Sequence, residues 1–470
     1  MHLFAQFGLI GALLPAIGIP AFAQPPSGAS PSPANRALPP GRPLDPARTK
    51  ITTIASASAG AKGIAVRLTL PPKPRYAAGA PVAIAVSPGS HDAFDAGRLT
   101  VAGCGFIEVY WASPDGGAGP YDFGGPNWIL GLRDVIRFAL GRTADTQGQT
   151  IRNLAGAIPA LTSNVGIVGF SHGGNACGAV AGLHGEEIAD LAYYVSWESP
   201  YGEGAVGEEL GSQRDQGRVN PAYDPRTGVL DLSKLAYDPN LPQRGRSSAR
   251  SPGAPGVLPF RGALFFDLDG DGRFSPETDY RHQPVLWDAG DGPRFWYSVR
   301  LLREAEKRNL FAGQRPAYIP SADEALEFWR TRDATGLVPE AIRKIPQLAV
   351  IVVAHVSDHM QAAPDHPHIR AQVNAFQKVG ARFVRLNPDR AYLEWLSPRQ
   401  IPAAPDNDAG LLYDAKTIGA AVCPDDVAPG PSLASVAVCD LADRVQARNF
   451  EPNLDRVLFP NSPRAVGPNP

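Results

Sequence analysis

Ser171 is the residue in this chain best placed for nucleophilic chemistry. It lies in Gly169-Phe170-Ser171-His172-Gly173, between an apolar run from Val165 to Val168 and small apolar residues from Ala176 to Leu183. Strand, tight turn and helix in that order hold a serine on a sharp bend with its hydroxyl outward. The flanking glycines let strand and helix nearly touch. The backbone amide of His172, at the helix start, can then donate to an oxyanion. A serine hydroxyl also needs a base at hydrogen-bond distance and an acid to orient that base. The segment Val356 to His368 offers such groups close together: Asp358, His359, Asp365, His366 and His368.

A second group of residues suits a hard cation. Phe266-Asp267-Leu-Asp269-Gly-Asp271-Gly272-Arg273 continues to Glu277, Thr278 and Asp279, and it resembles the calcium loop of EF-hand and dockerin modules. Alternate aspartates place carboxylates around one point, and Gly272 permits the turn that brings in the carbonyl of Arg273. The resemblance implies a structural Ca2+ held by Asp267, Asp269, Asp271, Arg273, Glu277 and Asp279. The twelfth position, normally a bidentate acid, is Thr278, so either the loop shifts by a residue to use Glu277 or Asp279 or the site is weaker, and the alternative reading is an acidic Asx-turn without metal.

The elements that position these groups read as alternating strands and helices. Apolar runs Ile64–Leu70, Val82–Val86, Phe106–Trp111, Leu191–Trp197, Leu348–Val353 and Arg382–Leu386 are strands. Helical periodicity follows Trp128 to Ala139 and Ile369 to Phe376. This pattern predicts an α/β protein with a mostly parallel sheet and helices on both faces. With the elbow at Ser171, residues 60 to 200 and 345 to 395 resemble the α/β-hydrolase superfamily. The resemblance implies a core of 51–200 and 346–397, with an inserted cap or lid over 201–345. The insertion is Gly/Pro-rich at first and helical later, over Phe295 to Leu310 and again after a capping-box serine, Ser321, with Glu324.

The resemblance also implies a triad in the order Ser, acid, His, with the histidine after the last strand. Asp358 stands where the acid is expected, but none of the 9 histidines lies beyond His368. A histidine of the 356–368 loop is roughly two strand spacings, about 10 Å, from the elbow. His359 or His366 is therefore expected to be the base, oriented by Asp358, with Glu198 in reserve. Asp365 also reads as a helix N-cap before Pro367, and His368 then covers surface. The loop after Val86 lacks the family's His-Gly motif, so the amides of Gly89 and Ser90 are the expected second oxyanion donors, and His91 shapes that loop. Trp111, Tyr121, Trp197 and Tyr201 either line an acyl pocket or pack the core.

Composition sets outer bounds. Lys+Arg 44 against Asp+Glu 46 gives no electrostatic footprint for nucleic acid. Leu3 to Phe22 is apolar and ends Ala21-Phe22-Ala23, which reads as an export signal over 1–23 followed by a Pro-rich leader over 24–50. No later stretch is apolar enough to anchor the chain in a membrane, so a secreted or periplasmic protein is expected. Four cysteines allow three pairings, and Cys423 with Cys439 is favoured because they bracket a Pro/Gly-rich loop. Residues 398–470 read as a Pro-rich tail. The function expected is a serine hydrolase acting on an ester-bearing small molecule or polymer. The alternatives are an inactive binding protein on the same scaffold, or a serine peptidase.

Overall fold

Eight strands share one sheet, and the central ones, with side chains buried on both faces, hydrogen-bond on both sides. The eight are β1 (Thr49–Ile54), β2 (Ile64–Thr69), β3 (Ala80–Val86), β4 (Ile107–Trp111), β5 (Ala160–Phe170), β6 (Tyr193–Trp197), β7 (Ala349–Val353) and β8 (Phe383–Leu386). Their spatial order is β1-β2-β4-β3-β5-β6-β7-β8. The first two junctions are antiparallel and the rest parallel, from β4 through β8. This computed structural model describes residues 46–87, 99, 101–112, 122–202, 209–212, 218–244, 246–247, 260–288, 290–389, 392, 411–423 and 432–451. The mostly parallel α/β architecture expected from the sequence is present, and the strand order is that of the α/β-hydrolase fold.

Period-two alternation divides the core into two layers. Val82, Ile84, Val86, Val165, Ile167, Val350 and Val352 face one layer. Ala83, Ala85, Val168, Phe170, Ala349, Ile351 and Val353 face the other. Among the described residues, the α-helices of five or more residues are α1 (Pro126–Ala139), α2 (Ile151–Ala155), α3 (His172–His184), α4 (Val299–Lys307), α5 (Ala322–Arg330), α6 (Val338–Lys344), α7 (Pro367–Lys378) and α8 (Ser432–Ala447). Helices α1, α3, α6 and α7 cover the first layer and α8 covers the second. Asp122 starts α1 by accepting the amides of Asn127 at 2.6 Å and Trp128 at 3.3 Å.

Several boundaries differ from expectation. The sheet begins at Thr49, inside the stretch read as leader. Helix α6 packs on α3, so the end of the stretch read as cap belongs to the core layer. Residues 293–296 form a strand, and α4 starts only at Val299, capped by Ser298. The insertion shares one continuous apolar core with the sheet through Phe266, Trp296, Phe328 and Trp329. The stretch read as tail includes α8, a 16-residue helix whose Leu433, Val436, Ala437 and Leu441 are buried against the sheet. Small residues at most of its positions conceal an amphipathic period from the sequence. Residues 1–23 and 24–45 lie outside the described residues. Among the described residues, no helix is long and apolar enough to cross a membrane.

The expected Cys423–Cys439 bond is absent: all four cysteines are buried thiols. Cys439 is carried inside the second layer by α8, where Cys104 is the thiol that meets it. Cys423 instead forms a backbone bridge with His355. What fastens α8 is charge. Asp443 accepts from the Arg75 guanidinium, with Nε at 2.6 Å, from the Tyr76 hydroxyl, and from the Tyr392 hydroxyl at 2.6 Å. Arg444 reaches Asp389 at 3.3 Å, and Asp440 accepts the amide of Asp389 at 2.7 Å. Removing one partner of a buried ion pair strands the other, so Asp443→Ala is expected to lower unfolding stability by about 3–5 kcal/mol. Urea denaturation measures the loss, and a change below about 1 kcal/mol contradicts this account of how α8 is held.

Candidate active site

At the carboxyl edge of the sheet, β5 ends in the elbow. Ser171 has φ 51° and ψ −123°, a region that non-glycine residues enter at a cost of about 1–3 kcal/mol. A side chain at Gly169 would meet the backbone of Gly174 at 2.4 Å, and one at Gly173 would meet the carbonyl of Val86 at 2.4 Å. Those contacts are why glycine brackets the serine. The amide of Ser171 donates to Trp197 on β6 at 2.9 Å, which ties the bend to the neighbouring strand. His172 is the first residue of α3, where amides have no intrahelical acceptor. Its ring stacks on Trp128, 5.7 Å between centroids, and lies 5.0 Å from Phe123.

His359 Nε2 lies 2.9 Å from Ser171 Oγ. Its Nδ1 lies 2.6 Å from Glu198 Oε2, and its amide donates to the same oxygen at 3.2 Å. Because a carboxylate can only accept, Nδ1 carries the proton and Nε2 is left to accept from the serine hydroxyl. Serine, histidine and glutamate therefore come from the ends of β5, β7 and β6, three adjacent strands. Glu198 is fully buried and has φ 43°. Its other oxygen, Oε1, accepts from His355 Nδ1 at 2.7 Å. Burial and the charge of Asp358 push the Glu198 carboxyl pKa up, but hydrogen bonds from His355 and His359 outweigh them and hold it below its ordinary value.

The orienting acid beside His359 is thus Glu198 and not Asp358. Asp358 is turned away into its own loop, where it accepts the amides of Met360 at 2.7 Å and Gln361 at 3.3 Å. His368 Nε2 lies 2.9 Å from its carboxylate and His366 Nδ1 lies 3.5 Å away. Burial opposes its charge, yet the two histidines hold its carboxyl far below the ordinary range. His366, the other candidate base, is buried at the N-cap of α7 with φ 40°. Its Nδ1 faces Asp358, so it supports the loop. Asp365 is not the helix cap, because its carboxylate takes Tyr223 Oη at 2.5 Å and Arg370 at 3.1 Å. His368 is buried rather than at the surface.

Glu198, Asp358 and His359 lie close enough together to hold an ion. Their polar atoms, however, are directed at Ser171, His355, His366, His368 and the backbone of their own loop, which fits a hydrogen-bonded network. Trp197 stacks on the His359 ring at 4.8 Å, and Met360 Sδ is 3.8 Å from Ser171 Oγ. Trp111 instead stacks on Trp128 in the core, and Tyr201 is buried beside Tyr194. Tyr121, Gly89, Ser90 and His91 lie outside the described residues.

In the acidic loop, carboxylate oxygens of Asp267, Asp269 and Asp271 lie within 4.8 Å of one another. Gly270 and Gly272, both at positive φ, give their amides to Asp267. Asp279 is used differently from expectation: it is buried and accepts Leu268 N at 2.9 Å and Ser275 N at 2.8 Å, so both oxygens clasp the loop shut. Thr278 Oγ1 donates to Asp269, and Glu277 accepts from Ser275 at the surface. Three clustered carboxylates fit a hard divalent cation, while the clasped Asp279 does not face it.

No family model and no curated protein matches the chain. Among solved structures, it is similar to a fungal esterase from Rhizomucor miehei, with 11% identity, 85% of each chain covered and a TM-score of 0.39. It is also similar to a thermostable esterase from Pseudomonas putida, with 11% identity, 85% and 83% of the two chains covered and a TM-score of 0.38. An esterase from Pyrobaculum calidifontis is 12% identical, with 34% of this chain and 47% of that chain covered and a TM-score of 0.24. The chain thus spans about half the length of that esterase, as it does of DphMB1, at 48%. The fold assignment rests on the strand order and the elbow.

The depressed carboxyl of Asp358 fixes the sign of a pH effect. Its contribution to stability is complete above the ordinary value of 3.8 and declines as the pH falls below it. Asp358→Asn is expected to cost about 3 kcal/mol at neutral pH, and its deficit should shrink below pH 3.8. Thermal unfolding from pH 7 to pH 2.5 checks this, and a constant deficit contradicts it.

Proposed function

We propose that this chain is a serine hydrolase that cleaves carboxylic esters through an acyl-enzyme on Ser171. The observation that supports the reading is the unbroken chain from Ser171 Oγ to His359 Nε2 at 2.9 Å and from His359 Nδ1 to Glu198 Oε2 at 2.6 Å. His359 takes the hydroxyl proton as Ser171 attacks the ester carbonyl, and the carbonyl becomes a tetrahedral oxyanion. The amide of His172 at the α3 N-terminus donates to that oxyanion. His359 then gives its proton to the leaving alcohol. Water, activated by the same imidazole, attacks the acyl-enzyme to release the acid and restore Ser171. Glu198 keeps the imidazole in the required tautomer and stabilises the imidazolium.

Export to a secreted or periplasmic location is part of this reading, supported by the apolar N-terminal run ending Ala21-Phe22-Ala23. We also propose a structural Ca2+ in the loop of Asp267, Asp269 and Asp271, bracing the insertion. The loop joins the rest of the insertion through Arg218, whose guanidinium donates to Pro276 O at 3.4 Å. Calcium is expected to raise the melting temperature, and Asp269→Asn with Asp271→Asn should remove the rise. Titration calorimetry with no heat at millimolar calcium refutes this site.

A fluorophosphonate probe is expected to label wild-type protein, and Ser171→Ala should abolish labelling. Ser171→Ala and His359→Ala should each lower kcat on nitrophenyl esters by about 10⁴-fold or more, and Glu198→Gln by about 10²–10⁴-fold. Unlabelled, inactive wild type points to a binding protein on this scaffold. Faster turnover of peptide amides than of esters points to a peptidase.

A further inference from the structure

A glutamate is a loosely held orienting acid. Its terminal torsion is broad and roughly two-fold, so a carboxylate on that stem must be fixed by what it touches. Here the oxygen facing His359 is held by two donors from the residue it serves, His359 N and Nδ1. The other oxygen, Oε1, is held by the ring of His355, with Nδ1 at 2.7 Å. We propose that His355 is a positioning residue of this site, fixing the Glu198 carboxylate so that its other oxygen stays on His359. The inference rests on the catalytic reading above and adds a fourth member to it.

His355 is built to stay in place. It is 1% exposed and lies two residues past the end of β7. Its backbone pairs with Cys423: Val356 N donates to Cys423 O at 2.8 Å, and Cys423 N donates to Ala354 O at 3.1 Å. The edge of Trp197 meets its ring, 6.3 Å between centroids at 64°, while the same indole stacks on His359. With Nδ1 on Glu198, the ring reaches the site through that carboxylate.

Among the described residues, three titratable groups face the Glu198 carboxylate. Asp358 repels its charge, and His355 and His359 stabilise it. Without the His355 donor, a buried carboxylate oxygen is left with Asp358 opposing its charge, and protonation becomes easier. The acid-side decline of kcat then moves to higher pH. A merely structural role lowers activity equally at every pH.

The test is the pH dependence of kcat and KM for a nitrophenyl ester with the full chain. In His355→Leu, kcat is expected to fall about 10–100-fold with KM unchanged and the acid limb shifted upward. His355→Asn, which returns an N–H donor near the Nδ1 position, should recover most of kcat and the wild-type limb. His355→Gln, whose donor lies one carbon farther out, should not. If His355→Leu fails to fold by near-ultraviolet circular dichroism, the contrast between Asn and Gln decides. A wild-type pH profile in folded His355→Leu, or equal activity of the Asn and Gln variants, overturns the inference alone. Wild-type protein that neither turns over ester nor labels with fluorophosphonate overturns the catalytic reading, and this inference with it.

Discussion

A charged carboxylate with no exposure to water is the constraint from which the site follows. Moving a carboxylate out of water costs several kcal/mol unless its lone pairs are met by well-placed donors. Glu198 finds three, from His355 and from the ring and amide of His359. All come from the segment after β7, so that segment must fold back over the end of β6. The fold-back delivers the imidazole to Ser171, although the chain has no histidine after β8.

The rest of the loop serves the same placement. Asp358 binds its own loop's amides and lies beside His366 and His368, locking the turn that presents His359 to the start of α7. Asp365 then joins the loop to the insertion through Tyr223, and Ala363 packs with Leu210 and Tyr223. The insertion therefore clamps the loop that bears the base and shares its core with the sheet. It also holds a small apolar cluster of its own, Leu241, Ala263 and Phe265.

Much of the scaffold was legible because short-range pattern determines it. The glycines around Ser171, the continuous apolar strands and the capping box at Ser321 each follow from local sterics or hydrogen bonding. Pairing across the sheet edge does not. Asp358 looked like the partner of His359 because they are adjacent in sequence, but adjacent residues point apart. Glu198 lies 161 positions away along the chain and beside His359 in space. His355 gave no signal, since a histidine next to an apolar strand has no spacing to distinguish it. Helix α8 was missed because alanine, valine and cysteine fill most of its faces. Asp279 is buried and lies outside the cluster of Asp267, Asp269 and Asp271, a placement that sequence spacing does not reveal.

The most direct test of which acid serves the base is a proton NMR spectrum of the intact protein in water, in the far-downfield region of buried imidazole N–H groups. The Nδ1 proton of His359, on a 2.6 Å bond to Glu198, should give a resonance that disappears in His359→Asn and in Glu198→Gln and persists in Asp358→Asn. A resonance that survives Glu198→Gln and vanishes in Asp358→Asn would contradict the assignment of Glu198 as the partner of the His359 imidazole.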